Sequence, residues 1–194
     1  MRRVNTTLVL TATLLFGCTE GGFRSTATSE PDDYTTSSLT ETQPIPQLGF
    51  QIDYPGGWAL TSNESSLNLA ESYEDLQLPM AAPSGYRVRI ESADPAGLAE
   101  AGYDPATGLQ GLLRFNAAAF GWPESIPSRE ITVGGSSALA VETLTPDGSA
   151  ALAIAMGELN GRYFIMGLEA PTEASLDSFL PVWNAMLASV RNVE

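Results

Sequence analysis

The chain contains no histidine and no lysine, and its 194 residues include a single cysteine. Without histidine, a Ser-His or Cys-His nucleophile pair and an imidazole metal site are excluded. Without lysine there is no Schiff base, no Ser-Lys dyad and no Walker-A phosphate site. A single cysteine also excludes an intramolecular disulfide and a thiolate cluster. The composition therefore predicts a protein that is not an enzyme and has no catalytic residues, no metal site and no cofactor.

Basic residues are scarce as well: all nine are arginines, against 23 acidic residues, for a formal net charge of −14. Nucleic-acid binders need basic patches to displace counterions from phosphates, so the sequence predicts that nucleic acid is not a partner. The same charge would hold the folded part away from anionic lipid head groups. Solubility alone is the other interpretation, since net charge keeps molecules apart without any partner.

Long apolar runs are also missing from the sequence. Residues 4–16, which follow two arginines, form an apolar run that is too short to cross a bilayer, because a spanning helix takes ~20 apolar residues. The run predicts a signal peptide over residues 1–17. Its ending, Leu-Leu-Phe-Gly-Cys over residues 14–18, is similar to the lipobox of bacterial lipoproteins, although Phe16 is bulkier than the usual small residue.

The lipobox resemblance implies that Cys18 becomes the first mature residue and carries lipid. Several acyl chains on one residue anchor a protein stably. We therefore expect the protein in the cell envelope, on the outer face of the cell membrane or on the outer membrane, with the membrane as partner through Cys18. An ordinary secretory signal with an incidental cysteine near its cleavage site is the alternative.

Residues 18–46 follow as a stretch rich in serine, threonine and acids, with three prolines and almost no apolar periodicity. Such a composition does not repay the entropy of ordering, so it predicts a disordered tether. The folded domain is expected over residues 47–194.

Alternation of apolar and polar residues predicts the strands of this domain. The expected strands are 48–54, a return strand that starts at 58, a weaker candidate at 67–71, then 85–91, 129–133, 138–144, 150–156 and 162–168. The segment 71–83 between two of them is expected to be a loop. Short turns such as Asn160-Gly161 join the last four strands, so they predict an antiparallel meander.

Two helices are expected, one in mid-sequence and one at the end. Asp104 followed by Pro105 is typical of a helix start, and apolar residues recur from 109 to 120 with helical spacing. A second apolar stripe runs from 176 to 190, and Pro181 inside it predicts either a start close before that proline or a kink. Together the elements predict an α+β class, an antiparallel sheet with helices on both faces.

Two segments resemble PsbP-like domains. The first, at residues 50–58, reads Phe-Gln-Ile-Asp-Tyr-Pro-Gly-Gly-Trp, and the second is the closing helix 179–190 with Pro181, Trp183 and Leu187. This superfamily includes the extrinsic P subunit of photosystem II, a Ran-binding nuclear import factor and many bacterial lipoproteins. The resemblance implies an α/β/α sandwich and a binding or assembly role. It carries over no site, since the chain lacks the histidine and lysine that would match the metal sites and basic contacts of photosynthetic members.

Five residues are candidates for a ligand or partner surface. Tyr54 and Trp58 flank a Gly-Gly turn and would form an aromatic platform, or else fill the end of the sheet. Trp122 lies at a helix-to-strand corner and is expected to be partly exposed. Arg87 and Arg89 share one face of a strand, where they would grip an anionic ligand or pair with carboxylates across the sheet.

The acidic residues suggest two further sites. Glu71, Glu74 and Asp75 cluster in a predicted loop that would hold calcium or be a solvated surface, and they lack the spacing of a calcium loop. Paired carboxylates are also what a glycosidase-like hydrolase uses. The function expected from the sequence is a non-catalytic, membrane-anchored binding or accessory module for an unknown protein partner or small ligand. An extracytoplasmic carboxylate hydrolase and a passive spacer are the alternatives.

Overall fold

The computed structural model describes residues 35–63, 65–77, 82–123 and 125–193. The predicted signal peptide, Cys18 and the first half of the predicted tether lie outside these residues. In the part of the chain that is described, no helix is long and apolar enough to cross a membrane.

Ten strands and four helices make up the described chain. The strands are β1 (Leu39–Ile45), β2 (Phe50–Pro55), β3 (Ala59–Ser62), β4 (Ser66–Ala70), β5 (Arg87–Ala93), β6 (Ser128–Val133), β7 (Ser136–Leu144), β8 (Ala151–Leu159), β9 (Arg162–Ala170) and β10 (Arg191–Asn192). The helices are α1 (Tyr73–Gln77), α2 (Pro95–Glu100), α3 (Gly108–Phe120) and α4 (Glu173–Ser189). Short 3₁₀ helices lie at Thr36–Ser38, Pro46–Leu48 and Pro105–Thr107.

Seven strands form the main sheet in the order β3-β4-β5-β9-β8-β7-β6, and every neighbouring pair is antiparallel. The predicted meander is confirmed as β6 to β9. Its last turn has Asn160 at φ 53° and Gly161 at φ 73°, the two left-handed residues that a type I′ turn requires. The returning β9 then pairs with β5, so the meander closes onto the strand that precedes the helices.

A second sheet of three strands has the order β1-β2-β10, and it corrects two predictions. The segment 39–45, expected to be part of a disordered tether, is strand β1 and pairs along the length of β2. The expected return strand, β3, pairs with β4 in the main sheet instead of with β2. β1 comes directly before β2 in the chain, but residues 40–44, Thr-Glu-Thr-Gln-Pro, lack the apolar alternation that predicts a strand. The other edge of β2 is taken by β10 from the far end of the chain, which leaves no local pattern.

The two faces of the main sheet carry two separate cores, so the predicted sandwich with helices on both faces is confirmed. On one face α4 and the small sheet pack over Phe164, Met166 and Leu168 of β9. On the other face α2 and α3 pack over the large apolar residues of β7 and β8. Strand β8 shows the division, because it turns alanines toward α4 and the side chains Leu152, Ile154 and Met156 toward α3. Its small residues leave room for Phe179, Trp183 and Met186 of α4.

Local signals place the helices, with three differences from the sequence prediction. Asp104 accepts from the Ala106 amide and so caps the short 3₁₀ helix, and α3 begins only at Gly108. Helix α2 was not predicted, although Asp94 caps it and Pro95 opens it in the expected manner. The loop expected over 71–83 contains the short helix α1. Helix α4 begins at Glu173, well before Pro181, and continues through that proline, which is exposed.

Candidate binding site

The helices leave a gap on the outer face of the main sheet, between α3 and α1. Helix α3 packs on β7 and β8, while β4, β5 and part of β9 extend beyond it. Ile154 on β8 and Gly167 on β9 are paired neighbours on this face. Ile154 lies beneath the helix, whereas a side chain at Gly167 would meet no atom within 4 Å. Arg89 comes next in this row, and its side chain is 53% exposed. A polar surface therefore begins where the helix ends.

A cleft opens at this boundary, with strands β5 and β9 as its floor and helices α2 and α3 as its wall. The cleft offers about 20 Å³ to a water molecule, and the wider space of about 300 Å³ around it includes open solvent. It therefore has room for about one water molecule. The lining residues are Glu91, Ser92, Ala93, Leu98, Leu112, Asn116, Tyr163, Phe164 and Ile165.

Asn116 is the one buried polar side chain that α3 turns into this cleft. It is 2% exposed, and its Nδ2 donates to the Leu112 carbonyl one turn earlier at 2.8 Å. No described residue donates a hydrogen bond to its Oδ1. The described side-chain atoms that are both fully buried and unpaired are Ser92 Oγ and Arg162 Nε, and Asn116 Oδ1 is not one of them. This oxygen is therefore open to solvent in the cleft.

The rim of the cleft is charged. The Glu91 carboxylate forms an ion pair with Arg89 two residues earlier on the same face of β5. This pair is half exposed, so it contributes little to stability. It leaves the cleft with an apolar wall, one acceptor without a protein donor and a polar rim. Small-molecule sites share this lining but enclose more space.

Aromatic packing removes Tyr54 and Trp58 from the predicted surface. Trp58 is buried and stacks on Phe179 of α4 at 5.7 Å. Tyr54 is buried and donates its hydroxyl to Glu41 Oε2 at 2.7 Å. Burial, and then this hydrogen bond, raise the pKa of Tyr54 to about 12. The pair fills the space between the small sheet and α4 and forms no ligand platform.

Trp122 is not partly exposed as expected. Gly121 ends α3 in the left-handed conformation, and the Trp122 amide then donates to the Ala117 carbonyl, which turns the chain back over the helix. The indole ring is therefore 9% exposed and stacks on Phe120 at 4.8 Å. The left-handed conformation of Gly121 therefore leads to the burial of Trp122.

The two arginines of β5 share a face but differ in role. Arg87 is buried, pairs with Glu169 on β9 and donates to the Asp75 carbonyl at 3.2 Å. These contacts hold α1 against the sheet, so Arg87 is not available to bind an anionic ligand. Arg89 keeps an exposed side chain beside the cleft, so of the five predicted surface residues it is the one that belongs to the candidate site.

The predicted acidic loop is a hydrogen-bonded corner. The Asp75 carboxylate accepts from the amides of Ser84 and Gly85 and from the hydroxyls of Ser72 and Ser84. Burial raises the pKa of this carboxyl, but these hydrogen bonds outweigh it and hold the pKa below its usual range. Glu71 accepts from the Tyr86 amide at 3.1 Å. The oxygens of Glu71 and Asp75, which calcium would need, are therefore used by the protein itself. No group of three or more metal-ligating residues occurs among the described positions.

Asn116 was missed by the sequence prediction, although the sequence contains a signal for it. Residues 109, 112, 113 and 117 were assigned to the apolar face of α3, and Asn116 has the helical spacing of that same face. A polar side chain on a core-facing stripe requires a partner. The spacing therefore predicts that Asn116 faces the sheet, but not which groups meet it there.

Comparisons with known proteins identify the fold. No protein-family profile matches the chain, and no curated protein matches its sequence. The solution structure of cyanobacterial PsbP (CyanoP) from Synechocystis is similar with a TM-score of 0.51, at 14% identity, over 92% of this chain and 99% of that one. The Ran-binding protein Mog1p of Saccharomyces cerevisiae gives a TM-score of 0.50 at 10% identity, over 79% and 95%.

A protein from Bacteroides thetaiotaomicron is similar at a TM-score of 0.49 and 12% identity, and the match spans 80% of this chain and only 49% of that longer one. The Synechocystis and yeast structures confirm the predicted PsbP-like fold, an α+β sandwich. At these identities the likeness establishes the fold alone.

Proposed function

We propose that this protein with a PsbP-like fold is an exported lipoprotein, anchored through Cys18, whose domain binds a small ligand or a protein partner without catalysing a reaction. The observation that carries the binding role is the cleft beside α3, where Asn116 Oδ1 accepts no hydrogen bond from any described residue. The anchor is supported by the lipobox-like residues 14–18. Mog1p is named for binding a protein, Ran, and this makes a protein partner the second class to test.

The pKa values of four carboxyl groups argue against the alternative function, a carboxylate hydrolase. A general acid needs a raised pKa so that it carries its proton near neutral pH. Hydrogen-bond donors instead hold the pKa of Glu41, Asp53, Asp75 and Asp147 below the ordinary range. These four carboxylates stabilise turns and strand contacts, so we assign them no catalytic role.

The anchor is tested by membrane fractionation and fatty-acid labelling of the whole protein and its Cys18→Ser variant. We expect the wild type to incorporate label and partition into detergent, and the variant to do neither. Thr19→Ala is the matched control, since it changes the next residue and keeps the thiol. A Cys18→Ser protein that stays in the detergent phase would contradict the proposal.

The binding role is tested by photo-crosslinking in the native membrane. A photoreactive phenylalanine analogue in place of Arg89 lies at the cleft, and the same analogue in place of Asn184 lies on the exposed side of α4, on the opposite face of the sheet. We expect a discrete covalent adduct from the first position and none from the second. Equal adducts at both positions, or none at either, would overturn the proposal.

A further inference from the structure

The strands at the edges of the two described sheets are β3 and β6 in the main sheet and β1 and β10 in the small one. Three of these are poorly suited to pair with another chain, since β10 has two residues, β3 has four, and β1 contains Pro44, which has no amide to donate. Strand β6 has six residues without proline, and its register with β7 is regular. The chain also has no lysine, the residue that most often protects such an edge.

The turn between β6 and β7 shows which backbone groups of β6 face outward. The two glycines at 134–135 have φ of 58° and 82°, as a type I′ turn requires. Such a turn is closed by a hydrogen bond between the residues that flank it, here Val133 and Ser136. Bonded and non-bonded pairs alternate along an antiparallel ladder, so the N–H and C=O groups of Glu130 and Thr132 point away from β7. Among the described residues, no backbone carbonyl accepts from these two amides.

The side chains of β6 define what a pairing strand must carry. Its outer face presents the exposed Glu130, and no described arginine pairs with this carboxylate. On the other face Ile131 is partly buried against the core, and Arg129 pairs with Glu142 on β7 at 3.7 Å. A strand beside β6 therefore meets an uncompensated negative charge on one face and an apolar side chain on the other. The net charge of −14 also favours a cationic partner at long range.

We propose that β6 is the docking edge for an extended segment of another protein, in which basic and apolar residues alternate. The segment adds to the main sheet as a further strand, and its backbone bonds to the outward groups of Glu130 and Thr132. Its basic side chains lie beside Glu130 and its apolar ones beside Ile131. Strands β8 and β7 separate this edge from the floor of the cleft. The inference therefore goes beyond the proposed function and depends on neither the cleft nor the anchor.

The test uses a synthetic peptide that alternates lysine and valine, with acetyl and amide ends. The protein is the full chain carrying Cys18→Ser, so that the result does not depend on lipid. Amide hydrogen exchange is followed by NMR. The amides of Glu130 and Thr132 should exchange rapidly in the free protein and should become protected about tenfold, saturably, as the peptide bonds to them.

Two control peptides separate strand addition from simple attraction between charges. The first is the lysine–valine peptide with N-methylated backbone amides, which keeps the charge but cannot donate hydrogen bonds. The second alternates glutamate and valine, which keeps the backbone and the apolar side chains but reverses the charge. We expect neither control to protect the Glu130 and Thr132 amides.

Variants of β6 identify the groups that bind. Thr132→Pro removes one outward amide at an edge position that tolerates proline, so the peptide should no longer protect Glu130. Thr132→Ala keeps the amide and should bind as the wild type does. Glu130→Gln should weaken binding about threefold, the size of an exposed ion pair. The comparison of peptides on the unmutated strand decides the question even if Thr132→Pro does not fold.

The absence of saturable protection with the lysine–valine peptide would overturn the inference. Equal binding of the N-methylated peptide would overturn it as well, since the attraction would then be diffuse, and equal binding of the glutamate peptide would remove the charge match. Protection that rises with protein concentration without any peptide would mean that β6 pairs with a second copy of the chain instead. These results leave the labelling of Cys18 and the adducts at Arg89 untouched, so failure of this inference is distinguishable from failure of the proposed function.

Discussion

Arg191 and Asp53 form a two-pronged ion pair across the small sheet, with Nη1 donating to Oδ2 at 3.0 Å and Nη2 to Oδ1 at 2.9 Å. The same carboxylate accepts from the Thr42 hydroxyl at 2.6 Å. The Arg191 hydrogen bond is the largest cause that holds the pKa of Asp53 below its usual range. Since Thr42 is on β1 and Arg191 on β10, one side chain of β2 joins the two ends of the described chain.

Removal of β1 is expected to destabilise the domain. A chain that starts at Gln47 loses the buried Ile45 and the strand pairing to β2, whereas a chain that starts at Thr35 keeps both. Full burial of an isoleucine is worth ~1.5–3 kcal/mol. We expect thermal unfolding to show a melting temperature several degrees lower for the shorter chain. Equal melting temperatures would mean that β1 contributes no stability and that the tether does extend to residue 46.

Asp75→Asn is expected to lower the free energy of unfolding at pH 7 by ~1–3 kcal/mol, because an amide cannot accept from the Ser84 and Gly85 amides at both of its heavy atoms. The folded pKa lies below the ordinary 3.8. The contribution of the carboxylate is therefore present above the unfolded pKa and lost as the pH falls through the folded pKa.

Urea unfolding at a series of acidic pH values checks this prediction. The wild type should lose stability below about pH 4 more steeply than Asp75→Asn. Glu74→Gln, an exposed neighbour in α1, is the control and should follow the wild type. Parallel curves for wild type and Asp75→Asn would contradict the assignment.

Trp183→Ala is expected to cost ~3–5 kcal/mol in the free energy of unfolding, as other large aromatic truncations in cores do. Trp183 is 2% exposed in the core beneath α4. Asn184→Ala, one residue further on the exposed side, should change stability little. The measurement is denaturant unfolding, and a loss below ~1 kcal/mol for Trp183→Ala would mean that α4 does not cover the sheet tightly.

Two glycines on neighbouring strands should respond in opposite directions to alanine. A methyl group at Gly157 would lie 2.9 Å from the Ser137 carbonyl oxygen and 3.1 Å from the Phe164 ring, so Gly157→Ala is expected to cost ~1–3 kcal/mol. At Gly167 nothing lies within 4 Å, and alanine there should be neutral or stabilising by up to ~1 kcal/mol. Thermal unfolding of the two variants side by side is the check, and an equal loss in both would show that the face beside the cleft is closed.

Local patterns in the sequence were enough for the meander and the closing helix. Asn160-Gly161 predicted its turn because few other residue pairs adopt two left-handed conformations. The stripe from Leu176 to Val190 predicted α4 because its apolar spacing matches the helical repeat. The excluded chemistries needed no structure either, since a residue type that is absent cannot be supplied by folding.

The tertiary structure alone decided which strands meet and which polar groups are left over. Strand β1 is polar and short of apolar periodicity, and it is ordered because β2 offers it an open edge. Arg87 and Arg89 are alike in sequence, yet one lies beneath α1 with Glu169 and the other borders the cleft. Asn116 lines the cleft because α3 packs on β7 and β8 and leaves part of the sheet open beside it. Pairing, burial and the edge of a helix are set by tertiary packing, even where the partners are as close in the chain as β1 and β2. Local propensity and spacing therefore do not encode them.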